Sequence, residues 1–158
     1  MNLKMICNFY SKNIRILNLL LFVILYFMRR PVDVLSPSVW AEDGALNIPQ
    51  AISHGWASLL TPVQGYLIIP SKIITLVSLS ISGIFYPEVA YLLTLTITII
   101  ILLLLTSDHV ALEGKYFLPL IIALLPYDPE VFSTPLYIFW WTSLLLNYSN
   151  IFDTFPSS

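Results

Sequence analysis

The chain has 158 residues, of which 58% are hydrophobic and 10% are charged, and its mean hydropathy is +0.84. A soluble domain carries about 25% charged residues, so this composition predicts a membrane protein. The formal net charge of -2 excludes a basic nucleic-acid-binding surface. The single cysteine, Cys7, allows no intramolecular disulfide, and His54 and His109 lie far apart, so no metal-ligand motif is predicted.

Residues 14–28 form the first apolar segment, which we expect to span the membrane. As a helix it is about 22 Å long, and Arg15 and Arg29 can extend their side chains from it to the two interfaces. Basic residues before the segment slightly outweigh those after it, which predicts a cytoplasmic N-terminus. No small-residue cleavage site follows, so the segment is predicted to be an uncleaved anchor.

Residues 31–86 are predicted to form an extracytoplasmic loop that lies on the membrane surface. Recurring prolines and glycines divide this loop into short helices. One short helix is expected over residues 42–53, with its apolar side chains facing the bilayer surface. The rings of Trp40, Trp56 and Tyr66 suit the headgroup zone, which favours an apolar ring with a polar edge.

Residues 67–85 allow two interpretations. They are long enough to span the membrane, but Pro70 and Lys72 interrupt them, and hydroxyl side chains recur along one helical face. Either a helix begins at Pro70 and lies on the surface, or a spanning helix packs its small polar face against another helix. We favour the surface helix.

Residues 89–106 contain no charge and form the clearest membrane span. Residues 115–126 are predicted to form a shorter span, and residues 136–148 begin a fourth apolar segment. The predicted fold is therefore all-α. It is a multi-pass integral membrane protein with about three to four transmembrane helices and an extracytoplasmic loop that carries short membrane-surface helices.

Two acidic islands interrupt this apolar chain: Glu42 with Asp43, and Asp128 with Glu130. If residues 67–85 do not span, both islands lie on the same side of the membrane. They can then form an acidic cleft in which a carboxylate acts as a general base or holds a divalent cation. If residues 67–85 span, the islands lie on opposite sides. The alternative to a site is that these carboxylates are solvated helix ends.

An ordered set of residues occurs within residues 40–73: Ala41-Glu42-Asp43-Gly44, Gly55, Ser58-Leu59, Pro62, Gly65-Tyr66-Leu67, Pro70 and Lys72. This stretch resembles the first extracytoplasmic loop of bacterial multi-pass membrane proteins related to the GT-C glycosyltransferases. The second island, Leu125-Pro126-Tyr127-Asp128-Pro129-Glu130-Val131-Phe132, is similar to the segment that follows the third membrane helix of the same proteins.

The resemblance implies sugar transfer at the outer face of the bacterial cytoplasmic membrane. The donor would be a polyprenyl-phosphate-linked sugar and the acceptor an envelope glycan or lipid. In this family an acidic residue of the first outer loop removes the acceptor proton or binds a metal, and here that role falls to Asp43 with Glu42 as helper. No cofactor is implied beyond a possible divalent cation. Substrate binding is assigned to four further residues: Lys72, Tyr66, Asp128 and Glu130.

The related proteins are several times longer and have further membrane spans, so the chain is expected to be truncated at its C-terminus. It also departs from the family pattern at Ser71-Lys72, where Pro is followed directly by a basic residue in its relatives. The rival interpretation is a small non-catalytic accessory or scaffold protein of envelope assembly. A fragment of a transporter is less favoured, because the predicted spans hold few buried charges.

Overall fold

A computed structural model of the chain describes residues 3–107, 110, 112–125 and 134–152. In these ranges every regular element is helical apart from one antiparallel bridge between Val63 and Tyr66, so the predicted all-α class is confirmed. Gln64 and Gly65 form the tight turn within the bridge and both have positive φ, 49° and 89°. Glycine suits such a position because it lacks a Cβ.

Seven α-helices occur in the described ranges: α1 (Leu3–Arg29), α2 (Pro31–Leu35), α3 (Ile48–His54), α4 (Ile69–Ile81), α5 (Tyr86–Leu105), α6 (Leu118–Leu124) and α7 (Ile138–Phe152). A π-helical turn covers Asp43–Asn47, and 3-10 turns cover Gly55–Leu60, Lys115–Phe117 and Pro135–Tyr137. Helices α2 to α6 each have a proline in their first two positions. The N–H groups at these positions have no partner within a helix, so a proline, which lacks this N–H, costs no hydrogen bond there. Proline is therefore well suited to begin these helices.

The helices follow the predicted apolar segments with shifted boundaries. Helix α1 extends well before residue 14, and α5 begins three residues before the predicted start at 89. Helix α6 is only seven residues long because a 3-10 turn precedes it. By length and composition, α5 is the one helix in the described part of the chain that is sufficient to cross a membrane, with a mean hydropathy of 2.4.

Helices α1 and α5 run in opposite directions. Arg15, in the first half of α1, donates to the Leu103 carbonyl in the last turn of α5. Tyr26, near the end of α1, packs against Tyr91 near the start of α5, with 6.2 Å between the ring centroids. The two helices therefore lie antiparallel along their apolar lengths.

Helix α6 runs parallel to α1. Asn18 donates to the Tyr116 carbonyl just before α6 at 2.7 Å, and Arg29 donates to the Leu125 carbonyl just after it. The 3-10 turn before α7 adjoins the start of α5, and α7 packs along α5. Residues 30–85 fold over the end of the bundle at which α1 ends and α5 and α7 begin. We call this the loop end.

The bundle has one main apolar core. Phe22 of α1, Leu102 of α5 and Ile138 of α7 are fully buried, and Ile74 joins them from α4. Burying each such side chain contributes about 1.5–3 kcal/mol. Many apolar side chains nevertheless remain exposed on the outer faces of α1 and α5: Ile16, Leu20, Ile24, Phe27, Leu92, Ile100 and Leu104.

Helix α4 combines features of both interpretations of residues 67–85. It has 13 residues and is about 20 Å long, shorter than the roughly 30 Å apolar core of a bilayer. Its hydroxyl face is buried within the protein, because Ser71, Thr75 and Ser78 are 0% exposed and the helix packs against α5. The row of hydroxyl side chains predicted from the sequence is thus the face by which this short helix packs against its neighbours.

Cationic side chains cap helix ends and turns by donating hydrogen bonds to backbone carbonyl groups. Arg15 also donates to the Thr106 hydroxyl at the end of α5. Lys115 is buried and donates to the carbonyls of Ser107 and Val110 at 2.7 and 2.8 Å. The last carbonyls of a helix have no intrahelical partner and carry partial negative charge, so cations stabilise them.

Replacing Arg15 with methionine is expected to lower the free energy of unfolding by about 2 kcal/mol, because the Leu103 carbonyl and the Thr106 hydroxyl lose a charged donor. Denaturation in detergent, followed by tryptophan fluorescence, measures the loss. Arg30→Met is the matched control. The 3.0 Å ion pair of Arg30 with Asp33 is partly exposed and contributes less than about 1 kcal/mol. Equal decreases in the free energy of unfolding of the two variants would contradict the role of Arg15 in capping the end of α5.

Candidate functional site

Asp43 opens the π-helical turn at the loop end. The Gly44 N–H donates to the Trp40 carbonyl at 2.9 Å. A Cβ on Gly44 would lie 3.2 Å from Cγ1 of Val39, so glycine allows the turn to pack closely against the preceding segment. The Ile48 N–H bonds to the Asp43 carbonyl five residues earlier, which widens the helix here. Turns of this kind are frequent at functional sites.

The carboxyl group of Asp43 is 1% exposed, and its two oxygens differ in their contacts. Oδ1 accepts a hydrogen bond from Nδ2 of Asn47 at 2.8 Å, and the same amide lies 3.2 Å from Oγ of Ser71. Oδ2 is buried and makes no hydrogen bond. The chain therefore fixes the orientation of the carboxyl group through Asn47 and leaves one oxygen available to a further group.

Burial raises the pKa of the Asp43 carboxyl from 3.8 to about 6. The hydrogen bond from Asn47 lowers this pKa, and so does the nearby backbone amide of Leu136. The nearby charge of Glu42 raises it further. Removal from water disfavours the charged form of a carboxyl group, and here that effect is the largest. A carboxyl with a pKa near neutrality is suited to accept a proton at physiological pH.

Asp43 lines a small polar cleft between the loop and the start of α5. The water-accessible volume of the cleft is about 60 Å³, enough for about four water molecules. Arg30 and Asp33 line it as an ion pair with 3.0 Å between Nε and Oδ2. Other lining residues come from the segment before the π-helical turn, from α5 and from the start of the α7 segment: Ser38, Trp40, Tyr86, Tyr91, Thr134 and Pro135.

Glu42, the neighbouring acidic residue, lines a different cavity. Its side chain is half-buried and accepts a hydrogen bond from Nε1 of Trp40 at 3.1 Å. The second cavity is a groove of about 700 Å³ between the loop and α7, within the size range of ligand pockets. Most of its lining is apolar: Leu46, Val63, Ile68, Leu136, Phe139, Trp140 and Leu146. Its polar lining residues are Glu42, Gln64, Tyr66, Thr142 and Ser143.

Lys72 does not occupy the position expected for a phosphate-binding residue. Its side chain is 2% exposed, and burial lowers the pKa of its amino group. The ammonium nitrogen donates to Oε1 of Gln50 at 2.6 Å and to the carbonyls of Ser58 and Thr61 at 2.7 and 2.6 Å. An ammonium group has three donors, so none remains for a ligand. In this arrangement Lys72 joins α4 to α3 and to the 3-10 turn.

The remaining predicted site residues fall into two groups. Tyr66 is 69% exposed and contributes to the rim of the groove. Asp128 and Glu130 lie outside the described residues, as does His109. Thr134, the first described residue after the second island, lines the Asp43 cleft. In the described part of the chain no three His, Cys, Asp or Glu side chains are grouped to hold a metal ion.

Sequence reasoning missed the residues that orient Asp43. Asn47 lies four positions after Asp43, a spacing that places two side chains on the same face of a helical segment. That spacing was a signal available in the sequence. The contact of Asn47 with Ser71 links the π-helical turn to α4 across 24 residues, so only the tertiary structure reveals it.

Asp43→Asn is expected to flatten the dependence of stability on pH. The folded state binds the Asp43 proton more tightly than the unfolded state does, so this carboxyl favours folding below about pH 4. Its contribution falls as pH rises through the folded pKa of about 6, by about 3 kcal/mol in total. Thermal unfolding in detergent from pH 4 to pH 8 compares the two proteins. Parallel curves would contradict the raised pKa.

Comparisons with known proteins add no relative. No protein-family model, no curated protein and no solved structure matches the chain.

Proposed function

We propose that the chain is the N-terminal part of a GT-C-like glycosyltransferase, which transfers a sugar from a polyprenyl-phosphate donor to an envelope glycan or lipid. The observation that carries the proposal is Asp43: a 1% exposed carboxyl group with one unpartnered oxygen, oriented by Asn47, in a polar cleft. A solvated helix end has neither the burial nor the fixed orientation of this carboxyl.

Asp43 acts as the general base in this proposal. Its free Oδ2 accepts the proton of the acceptor hydroxyl as that oxygen forms a bond to the anomeric carbon, and the bond from this carbon to the donor phosphate breaks. Glu42 assists because its charge contributes to the raised pKa of Asp43. Among the described residues that line the cleft, Arg30 is the basic one. In this proposal Arg30 stabilises the departing phosphate, a role for which Lys72 has no donor left.

We further propose that the protein is a multi-pass protein of the bacterial cytoplasmic membrane. The antiparallel arrangement of α1 and α5, with α7 alongside α5, suits helices that cross a bilayer in turn. The apolar side chains exposed on α1 and α5 suit contact with lipid. With the N-terminus in the cytoplasm, the loop end and the Asp43 cleft lie on the extracytoplasmic side.

Cysteine labelling tests this topology in a Cys7→Ser background. Because α4 is too short to span, Ser53→Cys and Ile84→Cys are expected to react with a membrane-impermeant maleimide from the outer face. Glu113→Cys, on the turn before α6, is expected to react only from the cytoplasmic face. All three side chains are exposed in the structure. Opposite sidedness of positions 53 and 84 would mean that α4 spans the membrane.

Asp43→Asn is expected to lower sugar transfer about 100-fold or more, the usual loss on removing a general base. The assay follows incorporation of labelled sugar from polyprenyl-phosphate sugars into envelope material in membranes that contain the chain. In the unsubstituted protein the rate is expected to rise with pH around the Asp43 pKa of about 6. Glu88→Gln, an exposed acid outside the cleft, is the control. A rate unchanged by Asp43→Asn would remove Asp43 from the mechanism.

The size of the cleft favours a second candidate function. Its water-accessible volume of about 60 Å³ accommodates a few water molecules, which suits a buried polar contact in a non-catalytic accessory or scaffold protein. The exposed apolar faces of α1 and α5 would then contact a partner subunit. Membranes that incorporate no more sugar with the chain than without it would favour this candidate.

A further inference from the structure

We infer that the apolar groove along α7 binds the hydrocarbon chain of an uncharged, hydroxyl-bearing lipid, which serves as the sugar acceptor. This inference rests on the proposed function and specifies its acceptor.

The groove has the length and lining that a hydrocarbon chain needs. It extends from Leu136, in the 3-10 turn before α7, to Leu146 of α7, a distance of about 15 Å. Thr142 lines it, and the hydroxyl of this residue bonds to carbonyls of its own helix. That polar atom is therefore already satisfied.

The charge in the groove lining selects the head group. Glu42 is the charged residue in the groove lining, and no lysine or arginine lines it among the described residues. Lys72, in the first turn of α4, has its three donors occupied within the protein. A phosphate placed here would meet a carboxylate without a compensating cation, which is unfavourable.

A hydroxyl head group meets complementary partners at the same place. The Glu42 carboxylate accepts a hydrogen bond, and the Gln64 amide and the Tyr66 hydroxyl both donate and accept. Glu42 precedes Asp43 directly in the chain, and Leu136 both lines the groove and places its backbone amide near the Asp43 carboxyl. The groove and the Asp43 cleft therefore lie on either side of the Glu42–Asp43 pair.

Photolabelling in phosphatidylcholine nanodiscs tests the inference. Two probes carry the same diazirine-modified acyl chains: diacylglycerol, with a free hydroxyl, and phosphatidic acid, with a phosphate. We expect diacylglycerol to label residues 136–146 about two- to fivefold more than phosphatidic acid, the range for one unfavourable charge contact near a surface. Glu42→Gln is expected to remove this preference, and Glu42→Lys to reverse it.

A matched pair of variants on α7 locates the labelling. Ser143→Trp fills the groove and is expected to reduce diacylglycerol labelling, whereas Leu144→Trp, at an exposed position outside the groove, leaves it unchanged. Equal labelling by both probes would indicate general lipid contact, and a preference for phosphatidic acid would indicate a donor site. A cross-link to another segment of the chain would mean that the protein itself covers the groove. Each of these three results overturns the inference.

The outcomes for the groove and for the base are separable. Asp43→Asn is expected to lower sugar transfer about 100-fold or more while leaving the diacylglycerol preference intact, since Asp43 does not line the groove. Loss of the preference with retained dependence of transfer on Asp43 would reject the acceptor site alone. Retained preference in a chain with no transfer activity would reject the proposed function and leave a lipid-binding groove.

Discussion

The structure depends on hydrogen bonds from cationic side chains to backbone carbonyl groups. Arg15 and Lys115 donate to carbonyls at the end of α5 and in the following turn. Arg29 donates to carbonyls in the last turn of α6 and just after it, and Lys72 donates to a carbonyl of the 3-10 turn in the loop. In an apolar environment an unpaired carbonyl group is costly, and a charged donor forms a stronger bond than a neutral one. At least four of the seven basic residues therefore donate hydrogen bonds to carbonyl groups at helix ends and in turns.

This use of cations determines the electrostatics of the candidate site. Lys72 is buried inside the loop and its three donors are occupied there. Among the described residues that line the two cavities, Arg30 is the basic one, and it is paired with Asp33. An adjacent cation would lower the pKa of Asp43, whereas burial beside Glu42 raises it. The same arrangement that stabilises the loop thus leaves a carboxyl group that can hold and release a proton near neutral pH.

The sequence was sufficient for features that depend on local composition. The uncharged run of α5, the short helix after Glu42 and the acidic position at the loop end were predicted from residue types alone. The contacts of Lys72 were not, because Gln50, Ser58 and Thr61 lie 11 to 22 residues away and supply a side-chain amide and two backbone carbonyls that no residue pattern marks. The groove was also missed, since α7 and the loop form it together.

The divergence of Glu42 and Asp43 follows from helical geometry. Successive side chains on a helix point about 100° apart, and the π-helical turn begins at this pair. One carboxyl group consequently enters the polar cleft while the other borders the apolar groove. In the proposed reaction a lipid hydroxyl therefore has to pass from the groove to the cleft, across the turn that carries both acids. The two acids thus differ in their surroundings although they are adjacent in the chain: Asp43 is buried beside a polar cleft, and Glu42 lines an apolar groove.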